Sequence, residues 1–475
     1  MITLKNKLGI VYFIHAIVLC HLITPLYSKN NLPYIEEYRL ENGVRVLIAP
    51  NYDNPIAYVN VYINASKLDD YENQIGISTD AFYAMGQGTS KYPSEDHIRD
   101  KLFLLGSDDG SFKRFHMNFV HGTIQDYFLK EDLNEGLELI SEILIHPTYP
   151  IWLEKFLSSI VFAASPKTSL IRVKNLPYKH NLHQYANIYL HIHPKPIASK
   201  KKLLKWHHNF ITPENITIMV SGDVNAIYVK KMVDKYFGDW QPSNTIPEKR
   251  NYSINLNDKT GIKLRFIHVE KNKDALIDIV KWAPSTSDKQ LYAGILARDV
   301  FGADGFSSRL KNIHSKFEYY GELHSSLRKH PTIPSIQIRG IIQYEGLSRL
   351  YNELKNEFKI LSNNSITESE LEYAKKTKIN YYNNRLHNPR QLSTFIQDNY
   401  NLNGYSLDEI SNKWNYIQSV TLEEINDVAV KMFDPNNFMM VVVGNKDSCA
   451  TFLEQFENVE YYEHTEELRA SASSL

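Results

Sequence analysis

The sequence predicts an α+β protein made of two homologous domains, each a mostly antiparallel sheet packed against helices. Three observations carry this expectation. Pro213-Glu214-Asn215 leads into the apolar run Ile216–Gly222, and the same phrase returns as Pro435-Asn436-Asn437 before Phe438–Gly444, with Gly nine residues after Pro each time. An echo 222 residues apart is the mark of a duplicated unit. Short β-branched runs also alternate with longer stretches of helical apolar spacing, the pattern of sheet and helix layers. Finally, 475 residues suffice for two separate cores.

Hydrophobic residues at 43% and charged residues at 23% are the balance of an ordinary folded protein. A net charge of -1 argues against a general nucleic-acid binder, which carries a basic excess. At the start, Lys5 and Lys7 precede an apolar stretch over 8–27 that ends at Ser28, so residues 1–28 read as an export signal cleaved near Ser28. The same length fits an uncleaved membrane anchor. Leu19 before Cys20 argues against lipidation, and the chain is expected to be periplasmic or secreted, free or anchored. Cys449 is then the only thiol of the mature chain, which excludes an intrachain disulfide and a cysteine metal cluster. It reads as a small buried hydrophobe.

The first domain is expected over 36–240. Residues 38–48 form a hairpin turning at Asn42-Gly43, Ile56–Ile63 is a second strand, and 115–123 reads as one strand. Leu133–Ile145 has helical spacing. The lysines of 200–205 are the solvated face of a helix. His207 and His208, being neighbours, point in different directions on it. A polar linker spans 241–260. The second domain covers 261–446, with strands from Ile262 and Ala275 and helices over 292–300, 368–386 and 422–432; 447–475 is a C-terminal tail. His180, His183, His191 and His193 are the densest histidine group, but no carboxylate stands at a regular spacing beside them, and they read as surface residues. Asn64, Asn215 and Asn251 are acceptor sequons that matter only in a eukaryotic secretory route.

The chemistry-bearing stretch runs from Gly76-Ile77-Ser78-Thr79 through Phe82-Tyr83-Ala84-Met85 to Gly88-Thr89, then Lys91-Tyr92-Pro93-Ser94-Glu95. It resembles the signature of the insulinase-like (pitrilysin, inverzincin) metallopeptidases, G-L-A-H-x-x-E-H-M-x-x-x-G-T followed by K-Y-P-S-E. In that signature two His four apart grip a zinc ion from one helix face, and the Glu acts on the bound water. The frame is kept here, but Thr79 stands at the first His, Phe82 at the general-base Glu and Tyr83 at the second His. The family's third ligand is a Glu about 76 residues further on, where this chain has Ser159 in Ser159-Ile160-Val161-Phe162-Ala163-Ala164. The opening L-x-N-G-x-x-V and the segment Gly302-Ala303-Asp304-Gly305-Phe306-Ser307-Ser308-Arg309-Leu310, similar to G-x-G-F-S-S-R-L, extend the resemblance over about 36–446.

The resemblance implies a short two-domain form, one half of a clamshell that encloses peptides, with a zinc motif that has lost its ligands. No cofactor is then expected. In active members the second half supplies an Arg and a Tyr to hold substrate; His314 falls at the Arg, and Tyr320 lies one position before the Tyr. The implied role is an inactive subunit pairing with an active zinc-binding homologue, or a homodimer, in peptide processing. Two alternatives stay open: a non-hydrolytic peptide-binding scaffold, and an active zinc endopeptidase with other ligands.

Overall fold

The chain enters its first sheet through the Asn42-Gly43 turn. Gly43 takes φ 104°, and Gly43 N–H donates to the Leu40 carbonyl at 3.0 Å. A residue with a Cβ is strained there. The Asn42 amide donates to the Phe237 and Trp240 carbonyls (2.7 and 3.0 Å), closing the end of a helix far along the chain. In this computed structural model the described residues are 32–70, 76–106, 115–117, 121–150, 199–241, 261–285, 290–302, 308–317, 323–328, 334–402 and 406–463. Those from Tyr34 onward belong to one compact unit.

The first half contains β1 (Glu36–Arg39), β2 (Arg45–Pro50), β3 (Ile56–Ile63), α1 (Ile77–Ala84), α2 (Glu95–Leu104), β4 (Phe115–Met117), β5 (Gly122–Leu129), α3 (Leu133–Ile145), α4 (Lys200–Phe210), β6 (Ile216–Gly222) and α5 (Ala226–Phe237). Its six strands run in the order β1-β2-β6-β3-β5-β4, antiparallel except for β2 beside β6. The period of two decides the faces. Ala57, Val59, Val61 and Ile63 enter the main core with Leu137, Ile140 and Leu144 of α3. Tyr58, Asn60 and Tyr62 point the other way.

The second half contains β7 (Ile262–His268), β8 (Ala275–Trp282), α6 (Leu291–Gly302), α7 (Arg309–His314), β9 (Leu323–Arg328), β10 (Ser335–Ile342), α8 (Tyr344–Leu361), α9 (Glu368–Leu386), α10 (Pro389–Gln397), α11 (Leu407–Ser411), α12 (Lys413–Ser419), α13 (Leu422–Met432), β11 (Phe438–Gly444), α14 (Ala450–Leu453) and β12 (Val459–Glu463). The sheet order is β12-β7-β11-β8-β10-β9. Position by position this repeats the first sheet, with β11 in the place of β6. The duplication read from Pro213 and Pro435 is therefore the observed one, since both prolines stand just before the equivalent inner strand. Burial pushes the Lys281 ammonium down to about 7, and its Nζ pins the second of these turns by donating to the Asp434 and Asn437 carbonyls.

Two features differ from the expectation. The strand read over 115–123 is two antiparallel strands, β4 and β5, with His116 opposite Thr123. Apolar residues alternate through Phe115, Met117 and Phe119, but Val120 follows at once and Ile124 and Phe128 keep the shifted phase, a break that reading 115–123 as one strand passes over. The outermost strands also differ between halves: β1 arrives from upstream and pairs antiparallel, whereas β12 arrives from downstream and pairs parallel.

The opposite face of the first sheet is covered by the second half. Pro389 starts α10 at a position needing no N–H, and Asn388 caps it by accepting from Gln391 N–H at 3.1 Å. The Ser221 hydroxyl donates to the Pro389 carbonyl at 2.9 Å, and the Gln397 amide donates to the Asn60 and Thr217 carbonyls at 2.6 and 3.4 Å. Just beyond, Tyr400 bonds Glu37 and lies 4.8 Å from the Arg45 guanidinium.

Candidate functional site

The signature helix α1 is held at its start by an acid that the motif does not include. Gly76, its N-cap, is left-handed at φ 93° and has no side chain to satisfy the exposed amides. The Asp70 carboxylate, 1% exposed, does this instead, accepting from Gly76 N–H and from Ser78 N–H at 2.8 Å. A negative charge there also meets the positive end of the helix dipole. Asp69 next to it closes a capping box with Ser66, its Oδ2 accepting from the Ser66 N–H and hydroxyl, both at 2.8 Å. Sequence reasoning passed over Asp70 because its reach of six to eight residues matches no short capping pattern.

Phe82 is fully buried. Its ring meets Phe115 of β4 edge-on at 5.7 Å, and a Cβ placed on Gly122 of β5 would lie 3.1 Å from it. The residue at the general-base position is thus a wedge between helix and sheet. Thr79 and Tyr83 are half-buried one turn apart on the same helix, and Tyr83 packs against the first-half core. A hydroxyl, a phenyl ring and a phenol do not fit a zinc ion, which takes imidazole, thiolate or carboxylate ligands. Ser159 and the histidines at 180, 183, 191 and 193 lie outside the described residues. His207 points inward and His208 outward, as expected: Nε2 of His207 bonds the Leu144 carbonyl at 2.8 Å, and burial pushes its imidazole down to about 4.

On the opposite face of the first sheet stands a polar pair not foreseen from sequence. Tyr62 and His121 stack with ring centres 4.9 Å apart. Burial, then Asp398 and Asp69, push the Tyr62 phenol up, while burial pushes His121 down to about 4. The signal that could have found it is the alternation along β3, which puts Tyr62 on the face away from Val61.

In the second half, His314 ends α7 and is half-buried; Tyr320 lies outside the described residues. The helix carrying His314 is set by Arg309. That guanidinium holds Glu370 through two bonds (2.8 and 3.0 Å), Glu357 at 3.0 Å, and both the hydroxyl and the carbonyl of Ser365. Burial alone would raise the Glu370 carboxyl, but the bonds from Arg309 and Thr367 hold it below its ordinary value. The Arg of the G-x-G-F-S-S-R-L segment is therefore a clamp tying α7 to α8 and α9.

The duplication also identifies what the second half has at the signature positions. Gly86 lets the end of the first-half helix approach Phe115 of edge strand β4; Gly302 lets α6 approach Ser325 of the equivalent edge strand β9. Counting back from these glycines, Arg298 corresponds to Phe82 and Asp299 to Tyr83.

Comparison with known proteins agrees with this architecture. Residues 198–378 match the family described as the peptidase M16 inactive domain. The chain is 23% identical over 277 residues to a probable zinc protease PqqL of Haemophilus influenzae, a match covering 54% of this chain and 29% of that protein. The chain thus spans less than a third of the length of the curated relatives it matches. Among solved structures, a peptidase M16 inactive domain from Pseudomonas fluorescens superposes with a TM-score of 0.74 at 15% identity, covering 87% of this chain and 98% of that one. The periplasmic protease PqqL from Escherichia coli superposes with a TM-score of 0.65 at 15% identity, covering 93% of this chain but 50% of that one. Duplicated sheets, the signature frame around α1 and these likenesses agree with a resemblance to the insulinase-like, or M16, peptidases, whose inactive-domain family residues 198–378 match.

Proposed function

We propose that the chain is a non-catalytic half-shell of an insulinase-like peptidase, which holds an extended peptide and pairs with a homologous half carrying an intact zinc site. The observation that carries this reading is the placement of Phe82, turned into the core where the family's base would face bound water. Thr79 and Tyr83 beside it bring no zinc ligand. Pairing is supported by the PqqL chain from Escherichia coli, of which this chain matches only half. The periplasmic description of that protein, together with the apolar stretch over 8–27, supports export.

Elemental analysis tests the reading. Purified without added metal, the protein should carry far less than stoichiometric zinc and show no chelator-sensitive cleavage of an unfolded fluorescent substrate. Recovered from its source under gentle conditions, it should come with a homologue bearing H-x-x-E-H. Tightly held stoichiometric zinc with chelator-sensitive cleavage would overturn the proposal.

A further inference from the structure

Around the second-half positions that answer to Phe82 and Tyr83, two cations share one carboxylate and a third stands further along α9. Lys378 Nζ lies 2.6 Å from Asp299 Oδ2, and Arg298 Nη2 lies 3.0 Å from Asp299 Oδ1. The second contact joins neighbours on one helix, which do not face each other, and it leaves Arg298 Nε buried without an acceptor. Lys378, Tyr381 and Arg385 follow at i, i+3 and i+7 on one face of α9. The Lys378 ammonium and the Arg385 guanidinium stand 5.4 and 5.5 Å from the Tyr381 ring centre, and Arg385 Nη1 donates to the Tyr381 hydroxyl at 2.6 Å. Arg385 Nε is likewise buried without an acceptor. Tyr381 itself is 49% exposed, so the group opens to the surface.

The surroundings do not neutralise this charge. From Tyr373 to Arg390 the sequence has no Asp or Glu, while Lys375, Lys376, Lys378, Arg385 and Arg390 are cationic. The acids of the first turns of α9 are occupied elsewhere, Glu370 by Arg309 and Glu372 by Lys375 at 2.8 Å. A guanidinium fork beside an ammonium and a half-exposed phenol matches a carboxylate, which two N–H groups can grip at once while the ring covers its aliphatic stem.

We propose that Lys378 and Arg385 on the Tyr381 ring, with Arg298 joined to Lys378 through Asp299, bind an Asp or Glu carboxylate of a captured peptide. This rests on the peptide-holding reading and adds a preference for acidic sequence. The test uses the full chain and two labelled peptides of equal length, one Glu-rich and one with Gln at the same positions, followed by fluorescence anisotropy at low salt. The Glu-rich peptide should bind about tenfold tighter, and the difference should vanish in Arg298→Gln/Arg385→Gln. That pair leaves the Asp299–Lys378 contact intact, and its melting temperature checks the fold. Tyr381→Ala, at an exposed position, should weaken the Glu-rich peptide alone. Equal binding of both peptides to the native chain would overturn the site and leave the peptide-holding reading standing. Binding of neither would overturn both. Displacement of the Glu-rich peptide by an equal concentration of inorganic phosphate would overturn the peptide assignment in favour of a small free anion.

Discussion

Placing Glu at position 82 should unfold the protein before it supports any chemistry. Phe82 is fully buried, with Phe115 at 5.7 Å and Gly122 against its ring. Truncating a buried Phe costs about 3–5 kcal/mol. A carboxyl in that slot would remain protonated near neutral pH because burial raises its pKa by several units. Without a partner it adds about 1–3 kcal/mol. Phe82→Glu should therefore lose roughly 4–8 kcal/mol, much of the about 5–15 kcal/mol that holds a typical domain together. Thr79→His, at a half-buried position on the same helix, should cost about 1 kcal/mol or less. Urea titration followed by circular dichroism compares the two. A second arm tests the wedge directly: Gly122→Ala should destabilise the native protein through crowding of the Phe82 ring, and less so in a Phe82→Leu background. If Phe82→Glu and Thr79→His share one unfolding midpoint, the ring is not part of the core and the reasoning fails.

Other outcomes follow from the same contacts. Asp70→Ala removes the acid that caps α1 and should cost about 1–2 kcal/mol by urea titration. His207 and His121 have folded values of about 4 against an ordinary 6.5, so the unfolded chain takes up protons first as pH falls. Their contribution is complete above pH 6.5 and is lost between there and pH 4, by about 2 kcal/mol per histidine at pH 5; His207→Gln should remove one of the two shares. Arg309→Met leaves Glu370 and Glu357 facing each other's charge near Ser365, and with Glu370 partly exposed the cost should be about 2–3 kcal/mol, measured by thermal melting.

Much of the fold was legible because it rests on local periodicity. The helices Leu133–Ile145, Glu368–Leu386 and Leu422–Met432 begin and end where the apolar spacing does. The Pro213 and Pro435 echo predicted equivalent strands because each proline stands outside the sheet ladder it introduces. At the candidate site, Thr79, Phe82 and Tyr83 could be singled out from sequence by their offsets from Gly76 and Gly88. What escaped is what depends on distance in sequence. Asp70 caps α1 from six to eight residues upstream, Gln397 reaches carbonyls of strands 337 and 180 residues away, and Tyr62 meets His121 only once β3 and β5 pair. None leaves a periodic trace. That the Phe82 ring belongs to the hydrophobic core likewise depends on β4 and β5 closing over it.

The cover that α10 lays over the first sheet sets an order of events during synthesis. All six strands of that sheet have been synthesised once Gly222 is made, yet Gln397 and Tyr400 come about 180 residues later, some 10–40 s at ordinary elongation rates. During that interval Leu47, Met219 and Tyr62, all buried in the finished protein, lack their lid. A nascent first half is therefore a natural client for a chaperone, and a chain stopped before residue 389 should accumulate as a sticky, protease-sensitive species although its first sheet has every strand it needs.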